Sequence, residues 1–242
     1  MSQVLLSFGG KYGDILWSLS AARALCNSGD TIDYAIMPAY GAVAPLIEQQ
    51  PYIRKVITLN DWHVAHTNCG AWPRIPPTVP TGYDRVYHLT YESRPVKPLI
   101  LHALSVVGQP LPDPPLPFLF VKDPAPTTKP VIAYAFNHDR MEPKLQVLNL
   151  LKENFQDCEF VDVSKMFFDV AARVIKTALF FLGCRSANYV VAHGVNQRIL
   201  TVEPDGGRRE ALFSCPYGRE VMPEIDRLEE FLSTARQWRA TA

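Results

Sequence analysis

Residues Val4–Gly29 constrain this chain most. Val4, Leu5, Leu6 and Phe8 form a short continuous apolar run, which suits a strand covered on both faces of a parallel sheet. Gly9, Gly10 and Gly13 follow and allow a sharp turn and close approach to the backbone. From Ile15 the period changes: Ile15, Leu19, Ala22 and Leu25 share one helical face, and Gly29 is a stop. The turn therefore lies at a strand's C-terminal end and a helix's N-terminus. Open α/β sheets bind ligands there, and free N–H groups there favour anions.

The same alternation continues. Thr31–Met37 reads as a strand, Ala39–Gln50 as a helix and Val56–Leu59 as a strand, an order that implies a doubly wound parallel sheet. Residues 60–81, with Trp62, His63, His66 and Trp72, show no period and read as a long irregular loop. Tyr83–Thr90 resumes as a strand and Pro98–Val107 as a helix. Prolines then cluster through residues 108–130, around a short strand expected at Phe118–Val121, and mark a domain boundary near residue 123. The second half restarts with a strand at Val131–Phe136 and a polar turn at Asn137–Pro143. A helix over Lys144–Phe155 follows, with Leu145, Leu148 and Leu151 inward. Further strands are expected at Glu159–Val163, Ala178–Gly183 and Arg198–Pro204, and helices at Phe167–Thr177, Asn188–His193 and Pro223–Arg239.

Composition removes some function classes. Lys plus Arg and Asp plus Glu both number 24 in 242 residues, so no net charge favours a nucleic-acid or membrane-surface partner. No apolar stretch has the length of a membrane span and no leader-type N-terminus is legible. The five cysteines contain no CxxC pair, which suits free thiols in a reducing, cytoplasmic setting. GGKYG has neither P-loop nor dinucleotide spacing. His63 and His66 have metal-ligand spacing without an evident third ligand, so no metal site is expected.

Several stretches carry a resemblance. Gly13-Asp14-Ile15-Leu16, then Ser20–Leu25, resembles the opening of the heptosyltransferase-like glycosyltransferases, glycosyltransferase family 9. Glu48–Val56 resembles the helix end before that family's third strand. Val161–Ser164, Val170–Ile175 and Leu179–Gly183 resemble the run leading to its phosphate-binding Asn-Asp-Ser-Gly turn. Cys184-Arg185-Ser186-Ala187 stands at that turn, keeping the serine and replacing the acid and the glycine; Val190 stands where the family has a histidine.

The resemblance implies an α/β chain of GT-B type, two Rossmann-like doubly wound domains facing each other across a cleft. Residues 1–122 would be the acceptor side and 123–242 the nucleotide-sugar side. It implies inverting, metal-independent transfer of a sugar from a nucleotide diphosphate sugar to a glycan or other hydroxyl acceptor, without a cofactor. Asp14, which on its own reads as a helix N-cap, becomes the general base. Gly10, Lys11 and Gly13 fall on the acceptor side. Asn137, His138, Arg140, Arg185, Ser186, Asn188 and Glu203 fall on the donor side, with Arg140 at the family's basic position. Arg185 and Ala187 leave a second expectation, a non-catalytic nucleotide-sugar or glycan-binding module on a degenerate GT-B scaffold.

Overall fold

The computed structural model describes residues 2–60, 62–64, 74–75, 78–89, 99–111, 117–122, 128–137, 140–203 and 219–241. The chain divides into two compact units, and the change from one to the other falls between Phe120 and Val121.

The first unit contains β1 (Gln3–Ser7), α1 (Tyr12–Asn27), β2 (Thr31–Ile36), α2 (Ala44–Glu48), β3 (Ile53–Thr58), β4 (His63–Val64), β5 (Arg74–Ile75), β6 (Arg85–His88) and α3 (Leu99–Val106). β1, β2, β3 and β6 form a parallel sheet in the order β3-β2-β1-β6. The chain winds outward from β1 to β3 and then returns to the other side of β1, so the strand order reverses between β1 and β6. α1 buries nine residues, Ile15 through Ala22 and Leu25. The two serines among them satisfy their hydroxyls within the helix, Ser18 to the Ile15 carbonyl and Ser20 to the Trp17 carbonyl, both at 2.7 Å. Ser18 also hydrogen-bonds the Tyr34 hydroxyl and so ties α1 to β2. Gly29, at φ +91°, ends the helix as expected.

Local sequence misleads at three places in this unit. The helix expected over Ala39–Gln50 is a 3-10 segment, Pro38–Val43, followed by the short α2, with non-helical backbone at Tyr40. The stretch read as irregular carries the two-stranded antiparallel ribbon β4–β5. Phe118–Phe120 is not a strand. Gln50, fully buried, donates to the Phe120 carbonyl at 3.2 Å and accepts its N–H at 2.7 Å, and the Tyr52 hydroxyl donates to the Phe118 carbonyl. Side chains supply the partners that a neighbouring strand would.

The second unit contains β7 (Val131–Ala135), α4 (Met141–Asn154), β8 (Glu159–Asp162), α5 (Phe168–Thr177), β9 (Phe181–Gly183), α6 (Ala187–Gly194), β10 (Ile199–Thr201), β11 (Glu220–Val221) and α7 (Leu228–Ala240). Its sheet is parallel, in the order β11-β10-β9-β7-β8. α4 and α7 cover one core of Ile132, Leu148, Leu151, Phe155, Leu182, Leu200 and Phe231; α5 and α6 pack together. The order reverses between β7 and β9. On α4, Leu148 and Leu151 face the core as expected, but Leu145 is 42% exposed and Lys144, 1% exposed, takes its place beside Val147.

Candidate functional site

In the first unit the candidate residues gather at the C-terminal end of β1. Gly10 is buried beneath its neighbour Phe8: a Cβ built there would overlap the Phe8 ring and stand 3.1 Å from Asp14 Cβ. The closeness that glycine permits at this position is thus taken up within the chain. Lys11, exposed, is the N-cap of α1, without a side-chain cap bond; Gly13 is half-buried. Asp14 is therefore the third residue of the helix and not its cap. It stands in the first turn, at the position from which a carboxylate can reach back toward the Lys11 backbone N–H.

Asp14 and Asp33 show how environment separates two acids. Burial pushes the Asp14 carboxyl up to about 6, against the Lys11 N–H and ammonium. Asp14 is partly exposed; Asp33, on β2, is fully buried, but Arg54 donates to it at 2.7 and 2.6 Å and Tyr83 at 2.5 Å. Burial raises its pKa, and these bonds outweigh burial and leave it below the ordinary value. Asp33 is a braced structural anion; Asp14 is an acid poised near neutrality at a sheet edge, the condition a proton-transfer group needs. Where the order reverses, Ser7 and His88 are register partners, and the Ser7 hydroxyl lies 2.7 Å from His88 Nδ1. Tyr12 and Tyr40 meet edge to face beside the turn, centroids 5.3 Å apart.

In the second unit the turns after β7, β9 and β10 bring Asn137, Cys184, Arg185 and Glu203 together. The Asn137 N–H donates to Cys184 Sγ at 3.1 Å, and the Arg185 N–H donates to Glu203 Oε1 at 2.7 Å. The cation beside them is Lys144, whose ammonium bonds Asn137 Oδ1 and lies 3.5 Å from the Asn137 carbonyl. Arg140 is exposed, in left-handed backbone (φ 48°) as the N-cap of α4, with no side-chain cap bond. His138 lies outside the described residues, as do His66, Trp72, Cys69 and Cys215. The described cysteines, Cys26, Cys158 and Cys184, are free thiols.

Ser186 is the N-cap of α6, its hydroxyl accepting the Tyr189 N–H at 3.4 Å. Asn188 is 8% exposed; its amide donates to the Val163 carbonyl at 3.2 Å, while its Oδ1 is buried with no hydrogen-bond partner among the described residues. Arg185 Nε is likewise buried without one. An orphan donor and an orphan acceptor thus sit at one helix N-terminus, which suits a ligand carrying both anionic oxygens and hydroxyls. Ala187 has no left-handed backbone, so this position does not call for glycine on conformational grounds.

Behind the turn runs a buried polar chain. The Tyr189 hydroxyl donates to Glu220 Oε2 at 2.7 Å, and Thr201 donates to Glu220 Oε1 at 2.6 Å. His193 Nε2 lies 3.9 Å from Glu220. Burial, reinforced by the Arg185 charge, lowers the His193 pKa to about 3, so the ring is neutral. Sequence reading missed Lys144, the Ser7–His88 pair and the Tyr189–Glu220 pair. Only Lys144 left a signal: it falls in helical phase with Leu148 and Leu151, a cation inside an apolar stripe. Among the described residues no three His, Cys, Asp or Glu side chains group as metal ligands, and no helix is long and apolar enough to cross a membrane.

No protein-family model matches the chain, and no curated protein matches it. Solved structures do. The family 9 glycosyltransferase from Veillonella parvula DSM 2008 aligns with a TM-score of 0.61 at 11% identity, over 96% of this chain and 89% of its own. E. coli ADP-heptose LPS heptosyltransferase II aligns with a TM-score of 0.63 at 13% identity, over 98% and 99%. E. coli heptosyltransferase WaaC, solved with ADP, aligns with a TM-score of 0.60 at 12% identity, over 96% and 99%. The chain has the fold of the family 9 glycosyltransferases and heptosyltransferases, the fold its short motifs imply.

Proposed function

We propose that this chain is a glycosyltransferase of hexosyl or heptosyl type. It moves a sugar from a nucleotide diphosphate sugar to a hydroxyl of a glycan or other acceptor, with inversion and without a metal. The observation that carries the reading is Asp14: a carboxyl raised to about 6, at the C-terminal sheet edge of a chain with a glycosyltransferase fold. In this reading the first unit takes the acceptor beside Gly10, Lys11 and Gly13, and Asp14 removes the hydroxyl proton as the oxygen bonds the anomeric carbon. The second unit takes the donor. Arg185, the free N–H groups of α6, Ser186 and Lys144 with Asn137 balance the charge that grows on the departing diphosphate. Asn188 and Glu203 meet hydroxyls, and Arg140, from its exposed turn, reaches the same diphosphate. Arg185 and Lys144 supply positive charge that a metal supplies elsewhere. That a heptosyltransferase of this fold was solved with ADP supports a nucleotide donor. The free thiols support a cytoplasmic setting.

Assaying Asp14→Asn against a panel of nucleotide sugars tests this. Transfer is expected to fall by about 10²–10⁴-fold while donor affinity holds; near wild-type transfer would discard Asp14 as base. Arg185 in place of an acid favours the second reading, a binding module without turnover. Calorimetric titration with nucleoside diphosphates, run beside a donor-hydrolysis assay, separates the two: binding without turnover of any donor selects the module.

A further inference from the structure

Arg185 is held in more places than a surface arginine needs. It follows β9, yet its Nη2 lies 4.0 Å from the sulfur of Met222, which follows β11. In the order β11-β10-β9 that span crosses the end of β10, so the side chain lies along the C-terminal edge of the sheet. The charge of its guanidinium also bears on the Tyr189 hydroxyl, one helical turn on, and that hydroxyl donates to Glu220 at 2.7 Å. Glu220 is fixed by Thr201 on its other oxygen. The carboxylate is thus one residue removed from the guanidinium. Among the described residues the guanidinium has no direct carboxylate pair, and Arg185 Nε is buried with no partner. A buried, oriented N–H donor without an acceptor is costly unless a ligand fills it.

We propose that Tyr189 and Glu220 are positioning residues that hold the Arg185 guanidinium along the edge of the second sheet for a diphosphate-bearing ligand. The proposal rests on the donor reading given above. Nothing in the catalytic step needs Tyr189 or Glu220 to touch substrate; they act through Arg185, and a buried relay of fixed length keeps its planar fork in one orientation. His193, neutral, packs edge to face on Tyr189 with centroids 4.5 Å apart and lies 3.9 Å from Glu220.

The test is a double-mutant cycle read by calorimetry, with ADP, UDP, GDP, CDP and inorganic pyrophosphate as probes. Each variant is first checked for a wild-type circular dichroism spectrum. Tyr189→Phe is expected to weaken the tightest probe about tenfold, and to have no further effect once Arg185→Ala is present, because the phenol acts only through the guanidinium. Glu220→Gln, which keeps an acceptor for the phenol, is expected to lose less and to show the same coupling; it replaces Tyr189→Phe if that variant does not fold. Equal weakening in both backgrounds, or none, overturns the positioning role while the donor reading stands. A wild-type chain that binds no probe overturns the donor reading itself, and this inference with it.

Discussion

The backbone N–H and ammonium of Lys11, three residues back at the N-terminus of α1, favour the Asp14 carboxylate but do not outweigh its burial. An acid in the first turn of the helix thus carries a raised pKa. The folded state holds this proton more tightly than the unfolded chain between pH about 4 and about 6, so Asp14 makes stability fall as pH rises through that window. One pKa unit corresponds to about 1.4 kcal/mol, and partial exposure screens some of it. Asp14→Asn, which removes the titrating proton at nearly the same size, is expected to stabilise the chain at pH 7 by about 1–2 kcal/mol and to change nothing at pH 3.5. Urea unfolding at the two pH values checks this. In the wild type, transfer should rise with pH to about 6 and then level.

Gly10→Ala puts a methyl group into the Phe8 ring. Expected destabilisation is about 1–3 kcal/mol, with Asp14 displaced and transfer reduced more than binding. Adding Phe8→Leu should recover part of the stability. Unchanged stability in Gly10→Ala alone would mean the ring yields freely.

His193 has the opposite sign to Asp14. Its pKa is lowered to about 3 by burial and by the Arg185 charge, so the unfolded chain binds the proton that the folded chain refuses. Stability is expected to fall as pH drops below 6.5, by up to about 1.4 kcal/mol per unit. His193→Gln should flatten this slope. Between pH 4 and 6 the two groups oppose each other, so Asp14→Asn and His193→Gln should tilt the stability profile in opposite directions there.

Gln50→Ala strips three bonds from the interior, including the acceptor of the Phe120 N–H and a 2.7 Å bond to the Leu46 carbonyl. A loss of about 1–3 kcal/mol is expected, with faster proteolysis at residues 117–122. Proteolysis at the wild-type rate would show that the segment is held by other means.

Legibility followed the range of the interactions. Val4–Gly29 was readable because its apolar run and helical stripe are set by neighbours within a few residues, and the parallel order followed from the alternation of elements. The FLF run at 118–120 has the composition of a strand, but its partners are Gln50 and Tyr52, far back in the sequence. Glu220 meets Tyr189 only because β11 pairs with β10, and the two residues of β11 carry no strand signal. On α4, the motif pointed to Arg140, while Lys144, in phase with the buried Leu148 and Leu151, is the cation that faces inward. The site residues legible beforehand are those at strand-to-helix turns; those that brace them come from long-range pairing.

Phe8 folds over Gly10 at the end of β1, and Phe181 stands in the same relation to Gly183 at the end of β9, its ring 2.5–2.6 Å from where a Cβ would be, with the Ala135 carbonyl at 2.8 Å. Each half therefore closes its sheet edge with an aromatic stopper two residues upstream of a residue that must stay small. Beyond the stopper the two halves differ: an acid on a helix in one, an arginine before a helix in the other. The stopper occupies the space beside each glycine, so the backbone there is set by packing while the side chains beyond it can carry opposite charges on the same scaffold.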